Sequence, residues 1–375
     1  MSNLVLLPVC RLLQSEGGFY GFIPSTWLLT AIKGTTAGIA LIIMLIYGRL
    51  YFKKKQHLYT TGIRNRLESW ISEMISNESE ERIRIPPEFI QIVQRPMGRR
   101  FVTNELVNCK RNFTGATAKN IVTLYEQLEL KKYSLQKLSS SQWHIKARGI
   151  QELYLMDQSD TFKRIYKNTN NRHEWVRMEA QMGVLHLTGF DGLRFLDVVS
   201  YPITEWQQIK LLEQLRYSKM TERLSTAIPK WLESSNATVV QFALKLAAEF
   251  QQFPLHDAVV QCLQHPAGAV RRQAVSTLIR IANEWTPSCL TACFPEETIA
   301  GKLVILEGLK KIATEEQASF LTGLLNDEND SIKLKSAMAL AVTSGTGLSV
   351  LAEKGRQQPH PYEEIYLHVK SETVI

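Results

Sequence analysis

The chain has 375 residues, of which 45% are hydrophobic and 21% charged, with 44 Lys+Arg against 36 Asp+Glu. That apolar content excludes a disordered chain, 20 Gly and 13 Pro exclude collagen-like and low-complexity classes, and five scattered Cys exclude a disulfide scaffold. The positive charge is uneven: residues 1–142 hold 19 basic against 10 acidic side chains, and residues 143–375 hold 25 against 26.

Residues 1–33 form an N-terminal segment with Arg11 and Lys33 as its only cations. Residues 34–52 follow as a transmembrane helix. Gly34 to Phe52 supplies 19 residues without an acidic side chain, close to the roughly 20 that a helix needs to cross the hydrocarbon core. Trp27, Tyr47 and Tyr51 suit the interfaces, and Lys33 and Arg49 can snorkel from the two edges. A cleaved signal peptide fits poorly, because the apolar run starts late and ends in RLYFKKKQH with no A-x-A site. Positive charge concentrates after the helix, at Arg49, Lys53, Lys54, Lys55, Arg64 and Arg66. The expected orientation is therefore N-terminus outside and the remaining chain in the cytoplasm, single-pass in the inner (plasma) membrane. Unpaired cysteines are in keeping with a reducing compartment.

Residues 53–142 read as a basic helical linker. Leu67, Trp70, Ile71, Met74 and Ile75 share a helix face, NESEER breaks the pattern, and FIQIVQ, FVTNELVNC and NIVTLYEQLEL are helical segments. The juxtamembrane Lys53, Lys54 and Lys55, with the basic residues up to 137, are candidates for contact with inner-leaflet anionic lipid, at about 1 kcal/mol per cation.

From residue 143 to 355 the chain repeats. With Ile145, Val176, Gln207, Val239, Val270, Gly301 and Ile332 as marks, the spacing is 31 residues throughout except for one step of 32, between Gln207 and Val239. Eight residues after each mark stand Leu153, Val184, Leu215, Ala247, Leu278, Leu309 and Leu340, all apolar. Four residues after each stand Gly149, Ala180, Leu211, Ala243, Ala274, Ile305 and Ser336, mostly small. These offsets trace one helix face, and small residues let a neighbouring helix approach. Thr204, Asn236, Thr298 and Asn329 are N-cap candidates, and Thr204 with Gln207 has capping-box spacing. A second helix precedes each of these, as in SDTFKRIYK, FDGLRFLDVV and HDAVVQCLQ. A two-helix unit cannot bury its own apolar faces, so successive units must stack.

Three segments, AGAVRRQAVSTLIRIA (267–282), NDSIKLKSAMALAV (329–342) and HEWVRMEAQMGVLHL (173–187), follow a D/N-x-x-V-R-x-x-A-x-x-x-L cadence with one to three replacements each, among them Ala267 and His173 for the Asp/Asn. They resemble second helices of HEAT repeats, and the layout is similar to membrane-anchored bacterial HEAT-repeat proteins. The resemblance implies an all-α fold, a right-handed α-solenoid of about seven two-helix HEAT repeats after one transmembrane helix and a small helical linker. It implies a scaffold for protein–protein interaction rather than an enzyme, within a membrane enzyme or signalling complex.

Immediately after the marks stand Lys146, Arg177, Gln208, Val240, Arg271, Lys302 and Lys333. The five cations of this column are either a structural ladder or a binding row for an acidic partner, and a ladder is the expectation. Some HEAT-like proteins are bilin lyases or DNA glycosylases. No histidine–cysteine constellation, P-loop, G-x-S-x-G or H-E-x-x-H supports an enzymatic reading. No cofactor or metal is expected, and the charge balance of the array disfavours nucleic acid. Trp143, Trp175, Trp206, Trp231 and Trp285 fall near helix ends, where packing roles are expected, and His256 and His265 are too far apart to share a helix face well. Residues 356–375 form a C-terminal tail in which Ile365, Leu367 and Val369 alternate with polar residues, an extended-strand pattern. Its last residues, ETVI, resemble a PDZ-domain ligand.

Overall fold

The computed structural model describes residues 25–76, 85–216 and 223–373, and all regular elements among them are helices. The N-terminal segment up to residue 24, the NESEER break and the final two residues of ETVI lie outside the described residues. The chain divides into two compact units, Met1–Leu124 and Tyr125–Ile375.

In the first unit, helix α1 runs without interruption from Ser25 to Ser76. Within Leu29–Ser69 it is long and apolar enough to cross a membrane, and none of its most apolar window is buried in the protein. Ile39, Leu41, Ile42, Met44 and Leu45 all project outward, so α1 is not a core helix. Lys53, Lys54 and Lys55 follow on the same helix and are exposed. Two to three turns beyond, Ile63 and Leu67 are buried; the side chains of Trp70, Ile71, Met74 and Ile75 lie outside the described set. α2 (Pro87–Gln94) and α3 (Pro96–Asn112) each open with a proline, which loses no intrahelical hydrogen bond at that position. α4 is Gly115–Gln127. Phe89, Val102, Leu106 and Ile121 form this unit's core, and Arg64–Glu105 and Arg66–Glu88 ion pairs, both 2.9 Å, tie α1 to α3 and α2.

The second unit is a run of stacked helix pairs. Its long helices are α6 (Trp143–Leu155), α8 (Glu174–Thr188), α9 (Glu205–Arg216), α11 (Ala237–Glu249), α13 (Gly268–Arg280), α15 (Ile299–Ile312) and α17 (Asp330–Thr343), preceded in turn by shorter helices. The shorter partners are α5 (Lys131–Leu138), α7 (Phe162–Tyr166), the 3₁₀ helix Gly189–Asp197, α10 (Arg223–Leu232), α12 (His256–Gln261), α14 (Thr286–Cys293) and α16 (Ala318–Gly323). Each long helix begins two residues before its sequence mark, so the 31-residue period is the period of the structure. All seven offset-eight side chains are buried, as are all seven at offset four. One hydrophobic core runs from Leu138 to Val369.

α6 packs on α8, α8 on α9, α11 on α13, α13 on α15 and α15 on α17. The step from α9 to α11 is the one with 32-residue spacing, and side chains bridge it. Gln208 donates to the Thr238 carbonyl at 3.3 Å, Lys245 donates to Gln208 at 2.8 Å, and Arg216 pairs with Glu249 at 2.7 Å. The four expected N-caps all form, with Thr204, Asn236, Thr298 and Asn329 side chains accepting from backbone N–H groups. The Thr204 capping box does not close, because the Gln207 amide turns away and donates to Gln181.

The C-terminal strand expectation is wrong. After α18 (Gly347–Gln357), residues Pro359–Thr373 form helix α19, which packs on α17 and α18. Tyr362 and Val369 are buried, with Ile365 and Tyr366 packed against the core between them. That spacing is one helical stripe, and the apparent alternation of 365–370 overlaid it. The Tyr362 hydroxyl donates to the Leu325 carbonyl at 2.7 Å. The tail thus covers the open apolar end of the stack, as terminal units of repeat arrays must.

Candidate binding groove

The five column cations have different surroundings. Arg177 is buried; its guanidinium donates to the Asn171 carbonyl at 2.8 Å and lies 4.4 Å from the Tyr201 ring centre. Burial pulls it below its ordinary pKa, opposed by Glu174 and Tyr201. Arg271 makes the equivalent bond, 2.9 Å to the His265 carbonyl, and is joined to the Glu297 carboxylate, which raises its pKa. Both carbonyls stand six residues before their arginines, so each side chain holds the turn that launches its helix. Gln208 does the same with the Ile203 carbonyl at 3.1 Å. Lys302 lies 5.3 Å from the Phe294 ring centre, and Lys333 pairs with Asp330 at 2.9 Å on its own helix. Lys146 has no ion-pair partner among the described residues and faces a groove.

That groove, about 740 Å³, lies where α6 and α8 begin. Trp143 forms one wall, stacked on His173 with ring centres 4.3 Å apart and planes within 11°, and edge-on to His144 at 5.5 Å. Tyr201 forms another, seated on Arg177. Lys146 and Arg172 supply positive charge, and no Asp or Glu lines the groove. Neither N-cap, Gln142 of α6 or His173 of α8, makes a side-chain capping bond. The N–H groups and positive dipole ends of these two helices are therefore not answered by their own caps. His173 Nδ1 is buried without a hydrogen-bond partner. Asn170 and Asn171 are engaged in holding the loop, Asn170 to Ser200 and Asn171 to the His173 N–H at 2.9 Å.

The packing role expected for the tryptophans holds only for Trp231, which is 4% exposed and bonds Asp197 at 2.9 Å. Trp143, Trp175, Trp206 and Trp285 are 45, 51, 55 and 65% exposed. Trp143, Trp175 and Trp206 stand two, one and one residues before their marks. That recurrence was a usable signal for an exposed aromatic edge.

A different face of the long helices carries charge that is already paired. Arg216, Glu249 and Arg280 link three successive repeats at 2.7 and 3.2 Å, and Lys335 pairs with Glu307 at 2.6 Å. An open groove of about 530 Å³ between α13 and α15 has Ile279, Leu303 and Val304 in its floor. His256 is buried and satisfied by Thr286 at 2.8 Å, and His265 accepts from the Ala267 N–H at 3.1 Å, so both serve local structure. Among the described residues no group of three or more His, Cys, Asp or Glu is placed to hold a metal.

No family model matches the chain, and no curated protein matches it. Solved structures with partial likeness include an engineered protein, 11% identical over 74% of this chain and 86% of its own, with a TM-score of 0.36. Human deoxyhypusine hydroxylase is 14% identical over 66% and 99%, with a TM-score of 0.30. The CpcE–CpcF complex of phycocyanin lyase from a Nostoc species is 12% identical over 73% and 95%, with a TM-score of 0.26.

Proposed function

We propose that the chain is a non-enzymatic, membrane-anchored scaffold whose helical array, a solenoid of about seven HEAT-like repeats, presents a surface to a protein partner. The observation that carries this reading is that the array buries one continuous core within itself while leaving large aromatic side chains exposed along one edge. A stack that needs no partner for its stability keeps such residues in water only against a cost, and exposed aromatics are the anchors of protein interfaces. Helix α1 anchors it as a single pass in the inner (plasma) membrane, with the N-terminus outside and the array in the cytoplasm. Exposed Lys53, Lys54 and Lys55 then sit against anionic headgroups. Arg177 and Arg271 hold turns and act structurally, and Lys146 is the column member that faces a partner.

Two experiments test this. A reporter fused after Ile375 is expected to behave as cytoplasmic; activity only outside the membrane reverses the topology. Crosslinking in native membranes is expected to trap one recurring protein on the array. Capture that is unchanged when the array is replaced by an unrelated soluble domain refutes the scaffold.

A further inference from the structure

We infer that the Trp143–Tyr201 groove receives a short, extended, acidic segment of a protein partner. This deepens the scaffold reading and rests on it. Charge complementarity points to the occupant. Lys146 and Arg172 form no ion pair among the described residues, and no carboxylate lines the groove. Glu174, the nearest acid in sequence, is outside the lining; it opens α8 and acts on buried Arg177. Two helix N-termini without side-chain caps open on the same space; Glu174 already stands in the first turn of α8, whereas α6 has no acid in its first turn and favours a carboxylate through its N–H groups and dipole. Trp143 and Tyr201 add flat apolar walls, and both are held from behind, by His173 and Arg177. They are therefore pre-ordered and lose little entropy on contact. About 740 Å³ is within the range of roughly 300–1,000 Å³ that accepts a compact ligand, so the groove suits a few residues, not a folded surface.

A nucleic acid fits less well. Each aromatic ring already has one face covered, and base recognition relies on open stacking faces. The array as a whole holds 25 basic against 26 acidic residues beyond residue 142, which gives a long polyanion no net attraction. A short acidic segment needs only the local field.

The test is selection from a random hexapeptide library by the full chain in nanodiscs of neutral lipid, beside the Lys146→Glu/Arg172→Glu double variant. The expected result is enrichment of peptides with two or more Asp or Glu, lost in the double variant. The best peptide should bind at least tenfold more weakly to that variant by fluorescence polarisation. Should charge reversal disturb folding, seen as a lower melting temperature, Lys146→Gln/Arg172→Gln serves, with a several-fold weakening expected. Enrichment without acidic residues, equal binding by wild type and variant, or tighter binding of hexathymidylate overturns the inference. Equal enrichment of peptides by both forms would leave the scaffold reading intact and remove only this groove, whereas loss of the scaffold reading shows in the membrane crosslinking.

Discussion

Gly149→Ala separates helix propensity from helix packing. Gly149 lies mid-helix in α6, where alanine alone should stabilise by about 1 kcal/mol. Its added Cβ would stand 2.5 Å from the Leu138 amide nitrogen and 2.8 Å from the Lys137 carbonyl carbon. Both are backbone atoms, so no side chain can swing aside, and the end of α5 must retreat by nearly 1 Å. That movement also strains the buried Glu152 network, in which Ser134 donates at 2.6 Å and Lys137 at 2.8 Å. Overpacking of this kind costs about 1–3 kcal/mol, more with the network included, so the net change is a loss of about 1–3 kcal/mol. For an array of this length that lowers the melting temperature by roughly 2–12 °C. The assay is circular dichroism at 222 nm on the full chain in mild detergent. Gly323→Ala, where nothing lies within 4 Å of the new Cβ, is the control and should be neutral or slightly stabilising. A Gly149→Ala melting temperature equal to or above wild type would refute the close approach of α5 and α6.

Leu278→Ala, at a fully buried site, should cost about 2–5 kcal/mol in urea unfolding, and Ala274→Asp should cost more, because the charge has no partner there. Arg271→Ala should destabilise clearly, since it leaves the Glu297 carboxylate, itself 6% exposed, without its partner; Lys333→Ala, paired only with exposed Asp330, should change the melting temperature by less than about 2 °C. The array should lose stability in acid. Burial pushes the Glu249 carboxyl up, but Arg216 and Arg280 outweigh it and hold it low, and the Lys335 hydrogen bond holds Glu307 low. A depressed carboxylate stabilises above its unfolded pKa, and that contribution disappears as pH falls through the lower folded value. Melts from pH 5 to 2 should therefore show a smaller acid loss in Glu249→Gln than in wild type. Burial pushes Cys262 and Cys293 up to about 11, so both should alkylate more slowly at pH 7.5 than partly exposed Cys289, read by mass spectrometry.

The array was legible because it states one rule seven times. An apolar residue at offset eight recurs in every long helix, a small residue at offset four in all but α9 and α15, and each helix starts at the same register. That a helix near the N-terminus is long and apolar enough to cross a membrane was legible from apolar length; its unbroken run from Ser25 to Ser76 was not. The tail was not, because Tyr362, Ile365, Tyr366 and Val369 form a helical stripe that a six-residue window reads as alternation. Two turns also escaped notice. Asp157 and Gln251 stand at the same offset with φ near 50°. The following Gln158 and Gln252 each bond the backbone five residues back, to Leu153 and Ala247, and cap a carbonyl with the side-chain amide at 2.8 Å. The pairs Asp-Gln and Gln-Gln share no apolar signature, so a hydrophobic template passes over them. The groove was hidden for a related reason. Whether a tryptophan near a helix end faces the core or water depends on the neighbouring turn, and the turn at Asn168–His173 is set by contacts from another repeat.

The most direct test of the account places a photo-crosslinking side chain at single positions of the full chain in native membranes. The positions are Trp175 and Trp206 on the exposed aromatic edge and Glu233 in a separate groove between α10 and α12, beside Pro229 and Gln261. The account predicts one discrete adduct from Trp175 and Trp206, absent from Glu233, with the same partner in both. Adducts of equal yield and identity from all three positions, or none from the aromatic edge, would contradict it.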